Sequence, residues 1–265
     1  DRQRAADAAV GAALTRHDGV VTATRVRQQL TGGSLDDEFG AVASVAEEQP
    51  PVEVRREVVD GSSSYLPTGF SYSAPTMLVL FVFITAVAGS ATVIENRRLG
   101  IHDRALAGPL SPLGLAFGEA MSLLAILALQ AALIVGVGAL AFGVSWGDPV
   151  AAGALIGLWL AVGTAAGVLA GAIFRTSEQA SSIGVTVAIV AGMLGGCMWP
   201  LEIVPDVVQR IGHVVPHAWA VDAWIELLSR GGSFADIALE LAVLATFALG
   251  LLLLAAWRLR ARLAS

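Results

Sequence analysis

The chain has 265 residues, of which 55% are hydrophobic and only 14% are charged, and its net charge is -6. A soluble domain of this size carries roughly a quarter charged residues, so the composition excludes an ordinary soluble protein and predicts a membrane protein. All 16 basic residues are arginine. Because a P-loop needs a lysine to reach the phosphates of ATP, these residues contain no P-loop. Any ATP that drives the protein must be bound by another polypeptide.

The charges are divided unevenly along the chain. Residues 1–60 contain 11 of the 22 acidic residues and seven arginines, whereas the charges after residue 73 form short clusters between apolar runs. This division predicts two domains. Residues 1–73 are expected to form a small external soluble α/β domain with a flexible tether, and residues 74–265 a transmembrane helical domain.

Five stretches are long and apolar enough to cross a bilayer as helices, which requires about 20 residues. The predicted fold is therefore a mainly α, polytopic helical bundle. Gly163, Gly167 and Gly171 follow one another at four-residue spacing, a pattern that lets helix backbones approach closely in lipid; the alternative is a compositional bias towards glycine and alanine. The predicted spans are residues 74–94, 116–142, 150–174, 180–200 and 236–257.

The arginines between the spans predict the orientation of the bundle, because connections rich in arginine stay in the cytoplasm. One set of connections contains two arginines, Arg210 and Arg230. This side is expected to be external, together with residues 1–73, and the C-terminus to be cytoplasmic. An external first domain followed by five spans also predicts a further span before Asp1, six in all, with a signal peptide as the alternative. The other set contains seven arginines: Arg97, Arg98, Arg104, Arg175, Arg258, Arg260 and Arg262.

The external segment 201–232 is predicted to form two short helices. Pro205 and Pro216 can each begin a helix, because proline lacks only an N–H that a first turn leaves unpaired. The second helix should bury one side, which carries Ala220, Ala223, Trp224, Leu227 and Leu228. Both helices are too short to span the bilayer, and amphipathic helices of this kind lie in or dip into the membrane interface. We therefore expect an external re-entrant helical hairpin.

Few polar groups indicate chemistry. His213 and His217 are four residues apart, but Pro216 lies between them and should prevent a shared metal; Asp222 and Glu226 are interpreted as a solvated helix face. No catalytic or metal-ligating set is expected, so the chain is not predicted to be an enzyme by itself. Glu119 and Gln130 are the candidates for functional polar residues inside the membrane. The alternative for Glu119 is that it reaches water at the cytoplasmic end of its span.

Two motifs resemble one known family. Residues 95–112 read ENRRLGIHDRALAGPLSP directly after the first span, and residues 195–205 read GGCMWPLEIVP before the proline-rich segment 213–232. In this order they resemble the permeases of type-2 ATP-binding-cassette exporters, the bacterial drug, antibiotic and polysaccharide efflux class. Glu119 departs from the pattern, which favours a basic residue there. The layout is similar to a subgroup with a large external domain after the first span.

The resemblance implies a function as well as a fold. It implies a bacterial plasma-membrane permease that pairs with a second permease, identical or homologous, and with a cytosolic ATPase that binds ATP and Mg²⁺. The pair would move amphipathic, drug-like or lipid-like molecules outwards through membrane lipid. The residues implied to couple the permease to the ATPase are Glu95, Arg97, Arg98, Gly100, Arg104, Pro109 and Ser111. Those implied to form the external gate are Trp199, Pro200, Pro205, Pro216, Trp219 and Trp224.

Two other classes of function are open on sequence alone. An ion-coupled secondary transporter would need polar groups near the middle of the bilayer, for which Gln130 and Thr164 are the best candidates. A membrane-anchored sensor or assembly protein would use the external domain to bind a ligand. No feature of the sequence points to a nucleic-acid partner.

Overall fold

The computed structural model describes residues 70–263, which fold into helices and contain no strand. The predicted mainly helical fold is thus confirmed for this part, whereas the α/β domain assigned to the start of the chain lies outside the described residues. The helices are α1 Phe70–Arg98, α2 Ile101–Leu106, α3 Pro112–Phe142, α4 Pro149–Ile173, α5 Ser177–Leu194, α6 Asp206–Gly212, α7 Pro216–Ser229 and α8 Ala238–Leu263.

Five of these helices, α1, α3, α4, α5 and α8, are long and apolar enough to cross a membrane. They correspond to the five predicted spans, with shifted ends. The fourth span was predicted to reach Pro200 but ends at Leu194. Apolar residues continue past that point, but Gly196 takes a φ of 82° and its N–H bonds to the carbonyl of Met193. This left-handed turn, which favours glycine, ends the helix.

Helix α4 lies at the centre of the bundle, where α1 and α8 pack against it along its length. Its glycine face meets α1 closely: a Cβ atom on Gly167 would lie 2.5 Å from the carbonyl oxygen of Ala86. Eight residues earlier on α4, the indole N–H of Trp159 donates a hydrogen bond to the carbonyl oxygen of Val79, 3.1 Å away. The close approach predicted from the glycine spacing is confirmed.

The two ends of the bundle differ in chemistry. At one end, the hydroxyl of Tyr72 donates to the carbonyl of Gly196 at 2.7 Å, and the rings of Trp146 and Trp224 meet edge to face. The start of α1, the α3–α4 connection, the end of α5 and α7 therefore gather there. Since successive spans alternate in direction, the opposite end collects five arginines with exposed side chains: Arg97, Arg98, Arg104, Arg175 and Arg258.

Replacing Gly167 by alanine should destabilise the bundle. The new methyl group would meet the carbonyl oxygen of Ala86 and a Leu123 methyl, each at 2.5 Å, and a backbone carbonyl cannot turn away as a side chain can. Overpacking of this kind typically costs about 1–3 kcal/mol. The free energy of unfolding in detergent, followed by tryptophan fluorescence during denaturant titration, should fall by this amount.

Gly157→Ala is the matched control. Gly157 lies on the same helix, is exposed and has no atom within 4 Å of an added Cβ. This variant should unfold like the parent protein. Equal destabilisation by both substitutions would show that the glycine face does not hold α4 against α1.

Candidate functional site

The segment that joins α1 to α3, residues 95–112, is folded back on itself. Helix α1 continues to Arg98, and Gly100 then turns the chain with a φ of 68°. A short helix, α2, follows. The chain returns to the bundle at Ser111, whose hydroxyl accepts a hydrogen bond from the N–H of Gly114 at 3.0 Å and so caps α3. Gly100 therefore forms a tight turn between α1 and α2. An added Cβ there would meet no atom within 4 Å, so glycine is favoured by the left-handed backbone alone.

The predicted coupling residues fall into three parts of this segment. Glu95, Arg97 and Arg98 occupy the last turn of α1, Arg104 lies on α2, and Pro109 and Ser111 belong to the return towards α3. The three arginines are exposed. Arg98 lies 3.6 Å from Glu95, but both side chains face solvent, where such pairs contribute little to stability. The arginines thus form an accessible basic surface at one end of the bundle.

A contact between α2 and α3 was missed from the sequence. The Nε2 atom of His102 lies 2.6 Å from Oε1 of Glu119, and the two side chains are only 11% and 23% exposed. The atoms are close without the alignment of a well-formed hydrogen bond. Glu119, predicted as an intramembrane polar residue, is the eighth residue of α3 and lies at the arginine-rich end. No periodic pattern could indicate this pair, because a turn separates the two residues.

A small cavity lies beside this contact, between α1, α3 and α4. Arg97 and Glu119 line it together with apolar residues and with Gly167 and Gly171 of the α4 glycine face. Its volume is about 40 Å³, whereas pockets for drug-sized ligands occupy about 300–1,000 Å³. This cavity therefore cannot enclose such a ligand.

The residues assigned to the external gate are spread over two parts of the opposite end. Trp199 and Pro200 lie in the turn between α5 and α6, and Pro205 directly precedes α6. Pro216 is the first residue of α7, as predicted. Trp219 is half-buried and Trp224 is buried, and both belong to α7.

Helix α7 buries the side that the sequence predicted. Ala220, Ala223, Trp224 and Leu227 are all less than 3% exposed, and Leu228 is half-buried. Helix α6 differs, because Val207 and Ile211 are 67% and 50% exposed. Its apolar side therefore faces outwards in the single chain.

His213 joins the two short helices. One ring nitrogen lies 2.7 Å from Oδ2 of Asp222 on α7, and the other lies 2.8 Å from the carbonyl oxygen of Gln209 on α6. Both partners only accept hydrogen bonds, so both ring nitrogens must donate, and the imidazolium form satisfies this geometry. Asp222 and Glu226, interpreted as a solvated helix face, are both partly exposed, and each has a partner: Asp222 binds His213 and Glu226 pairs with Arg230 at 2.6 Å.

His217 lies in a different environment from His213. It is fully buried on α7 against the rings of Phe83 and Trp159, with centroid distances of 4.5 and 5.1 Å. Burial lowers the pKa of His217 to about 3, so the ring is neutral. Helix α6 ends before Pro216, as predicted, and the two histidines do not share a helix face. Within residues 70–263, no three histidine, cysteine or acidic residues gather as metal ligands.

Gln130, the other polar candidate, lies in the middle of α3 and is half-buried. Its side-chain oxygen has no hydrogen-bond partner among the described residues. The described membrane spans carry their charged residues near their ends, as with Glu119 and Glu240. These described spans therefore carry no group of charged residues near the centre of the bundle.

Comparison with known proteins agrees with this architecture. Residues 21–257 match the family model described as ABC-2 family transporter protein. The chain is also similar to the linearmycin resistance permease protein LnrN of Bacillus subtilis (strain 168), with 28% identity over 229 residues. The aligned region covers 86% of this chain but only 60% of that relative. No solved structure matches. Since the family model matches most of the sequence, the chain belongs to the ABC-2 family of transporter proteins, as one of its membrane-spanning permeases.

Proposed function

We propose that this chain is the permease subunit of an ATP-driven exporter, located in a bacterial plasma membrane and working with a cytosolic ATPase. The exposed arginines around α2 carry this proposal, because they form a basic surface between two spans at the end where positive charge collects. The similarity to a resistance permease supports an export role. The ATPase would bind ATP and Mg²⁺, and this chain would carry out no covalent step.

The substrate that we propose is an amphipathic, drug-like or lipid-like molecule. The cavity beside Glu119 is too small for such a molecule, so the transport path would form between this permease and a second one. The outward apolar side chains of α6, Val207 and Ile211, fit a position in lipid or against that partner. We place α6 and α7 at the outer end of the membrane, where they would line the exit. An ion-coupled transporter fits less well, because the described spans lack charges near their centres.

Docking on the ATPase is assigned to residues 95–112. Arginine can bind a carboxylate through two parallel hydrogen bonds, which gives such a surface a defined geometry. Arg104 lies on α2 and is exposed. Because the Arg104 side chain is not packed in the bundle, its replacement should affect docking without disturbing the fold.

Arg104→Ala should lower export while the permease still reaches the membrane. Loss of a desolvated charged contact across an interface typically costs about 2–5 kcal/mol, so co-purification with the ATPase should weaken strongly. Membrane abundance, ATPase co-purification and efflux are the three measurements. Abundance should not change, because the substitution removes no buried contact of the bundle.

Arg230→Ala provides the control at the opposite end. Arg230 is also exposed, but its contact is with Glu226 of its own helix. This variant should bind the ATPase and export like the parent protein. If Arg104→Ala behaves in the same way as Arg230→Ala, residues 95–112 are only a connection between spans and the proposed docking is wrong.

The His213 link predicts that the α6–α7 pair is stabilised by low pH. Burial acts to lower the pKa of His213, but the hydrogen bonds to Gln209 and Asp222 and the charge of Asp222 together raise it above 6.5. The link is therefore complete below pH 6.5 and is lost as the pH rises through the pKa of the folded protein. The difference in melting temperature between the parent protein and His213→Gln should be largest in acid and should shrink in alkali.

In an Asp222→Asn background, the pH-dependent change in melting temperature caused by His213→Gln should be smaller. The reason is that Asp222→Asn removes the charge that favours the imidazolium. His217→Gln tests the other histidine, and its effect should have the opposite sign. Because burial lowers the pKa of His217 from 6.5 to about 3, this ring takes up a proton on unfolding, so the parent protein should lose stability relative to His217→Gln as the pH falls below 6.5. A stability difference for His213→Gln that is constant or grows towards alkaline pH would show that the imidazolium does not join the two helices.

A further inference from the structure

We propose that His102 and Glu119 form the joint through which α2 passes movement to the membrane span α3. This inference rests on the proposed function, in which the ATPase docks on residues 95–112. It adds a positioning pair that lies behind the docking surface and does not itself touch the ATPase. The observation that carries it is the 2.6 Å approach of the two side chains between α2 and α3.

Helix α2 contacts both α1 and α3, but few of its own side chains are buried. It has six residues, too few for a helix to be stable by itself in water. Of these six, His102 is the residue that is buried, while Ile101 and Leu106 are both 39% exposed. The position of α2 relative to the spans therefore depends on what His102 contacts.

Helix α2 is joined closely to α1, because the N–H groups of Leu99 and Gly100 bond to the carbonyls of Glu95 and Arg97, but its connection to α3 is open. Gly100 precedes the helix with a left-handed backbone and no neighbouring atom around its Cβ position. The residues after Leu106 form an exposed turn as far as Ser111. A displacement of α2 would be absorbed by this second turn before it reached α3, unless a side chain carried it directly to that span.

Glu119 provides that direct route. It lies nearly two helical turns inside α3 rather than at its first residue, so a force applied there acts on the body of the span. The pair is largely shielded from solvent, which strengthens the attraction between an imidazole and a carboxylate. Because the present contact is close but not aligned, a small rotation of α2 can tighten or release it.

Helix α3 is a span that can respond to such a force. Buried residues make up 22% of its most apolar stretch, against 67% for α4. The cavity beside Glu119 leaves some room for its side chain between α1, α3 and α4. The proposed joint thus lies between α2, which has one buried side chain, and α3, which is less buried than the central helix α4.

The test compares His102→Ala and Glu119→Gln with the parent permease, each expressed with its ATPase. Membrane abundance, ATPase co-purification, basal ATPase activity and efflux are measured. Both variants should be made and should bind the ATPase, and basal ATP hydrolysis should continue. Efflux should fall by about tenfold or more, because each change leaves the other side of a shielded polar contact without its partner. ATP hydrolysis without export is the result that a merely structural contact would not produce.

Three further variants sharpen the test. Glu178→Gln alters an exposed glutamate at the start of α5 and should export normally. His102→Gln keeps a hydrogen-bonding side chain towards Glu119 and should restore part of the efflux lost in His102→Ala. The double variant His102→Ala, Glu119→Gln should export no less than either single variant, because both changes break the same contact.

The outcomes separate this inference from the proposed function. If the parent permease neither binds an ATPase nor exports, the proposed function fails before the joint is tested. If the parent exports and either His102→Ala or Glu119→Gln exports normally, the joint is wrong. It is also wrong if both variants lose abundance and ATPase binding together with efflux, since the pair would then be a folding contact.

Discussion

The close approach of α4 to α1 is the constraint on which the rest of the bundle depends. In lipid, burial of apolar surface does not drive helices together, and close backbone packing must supply the attraction. Gly167 allows the Ala86 carbonyl to approach α4 closely. Eight residues earlier on α4, the Trp159 indole donates a hydrogen bond to the Val79 carbonyl. With α1 and α4 joined in this way, α8 packs on the same central helix, and α3 and α5 lie at the outside.

This arrangement gives the two ends of the bundle different tasks in the proposed exporter. At one end, α2 presents Arg104 outwards and His102 inwards, so the proposed docking surface and the proposed joint share one short helix. At the other end, α7 packs into the bundle and α6 is fastened to it through His213. The spans between the ends carry few polar groups. This fits the proposed exporter, in which transport would be driven by movement at the arginine-rich end and not by ions bound inside the membrane.

Local sequence patterns predicted the spans, the two short helices at Pro205 and Pro216 and the glycine face of α4, because each depends on residues close in sequence. The end of α5 was misplaced, since apolar composition continues beyond Leu194 although Gly196 turns the chain. The pairs His102–Glu119 and His213–Asp222 could not be predicted. Each joins two helices, and hydrophobic periodicity does not show which polar residues meet after the chain has turned.

Coupling to a cytosolic ATPase requires that residues 95–112 face the cytoplasm and that the α6–α7 end faces outwards. Single cysteines at Ala107 and Ala235, which are both exposed, test it in a Cys197→Ala background, where the buried native thiol is removed. In intact cells an impermeant thiol reagent should label Ala235→Cys but not Ala107→Cys, and both should react after the membrane is permeabilised. Labelling of Ala107→Cys in intact cells, with Ala235→Cys protected, would invert the orientation and contradict the proposed coupling to a cytosolic ATPase.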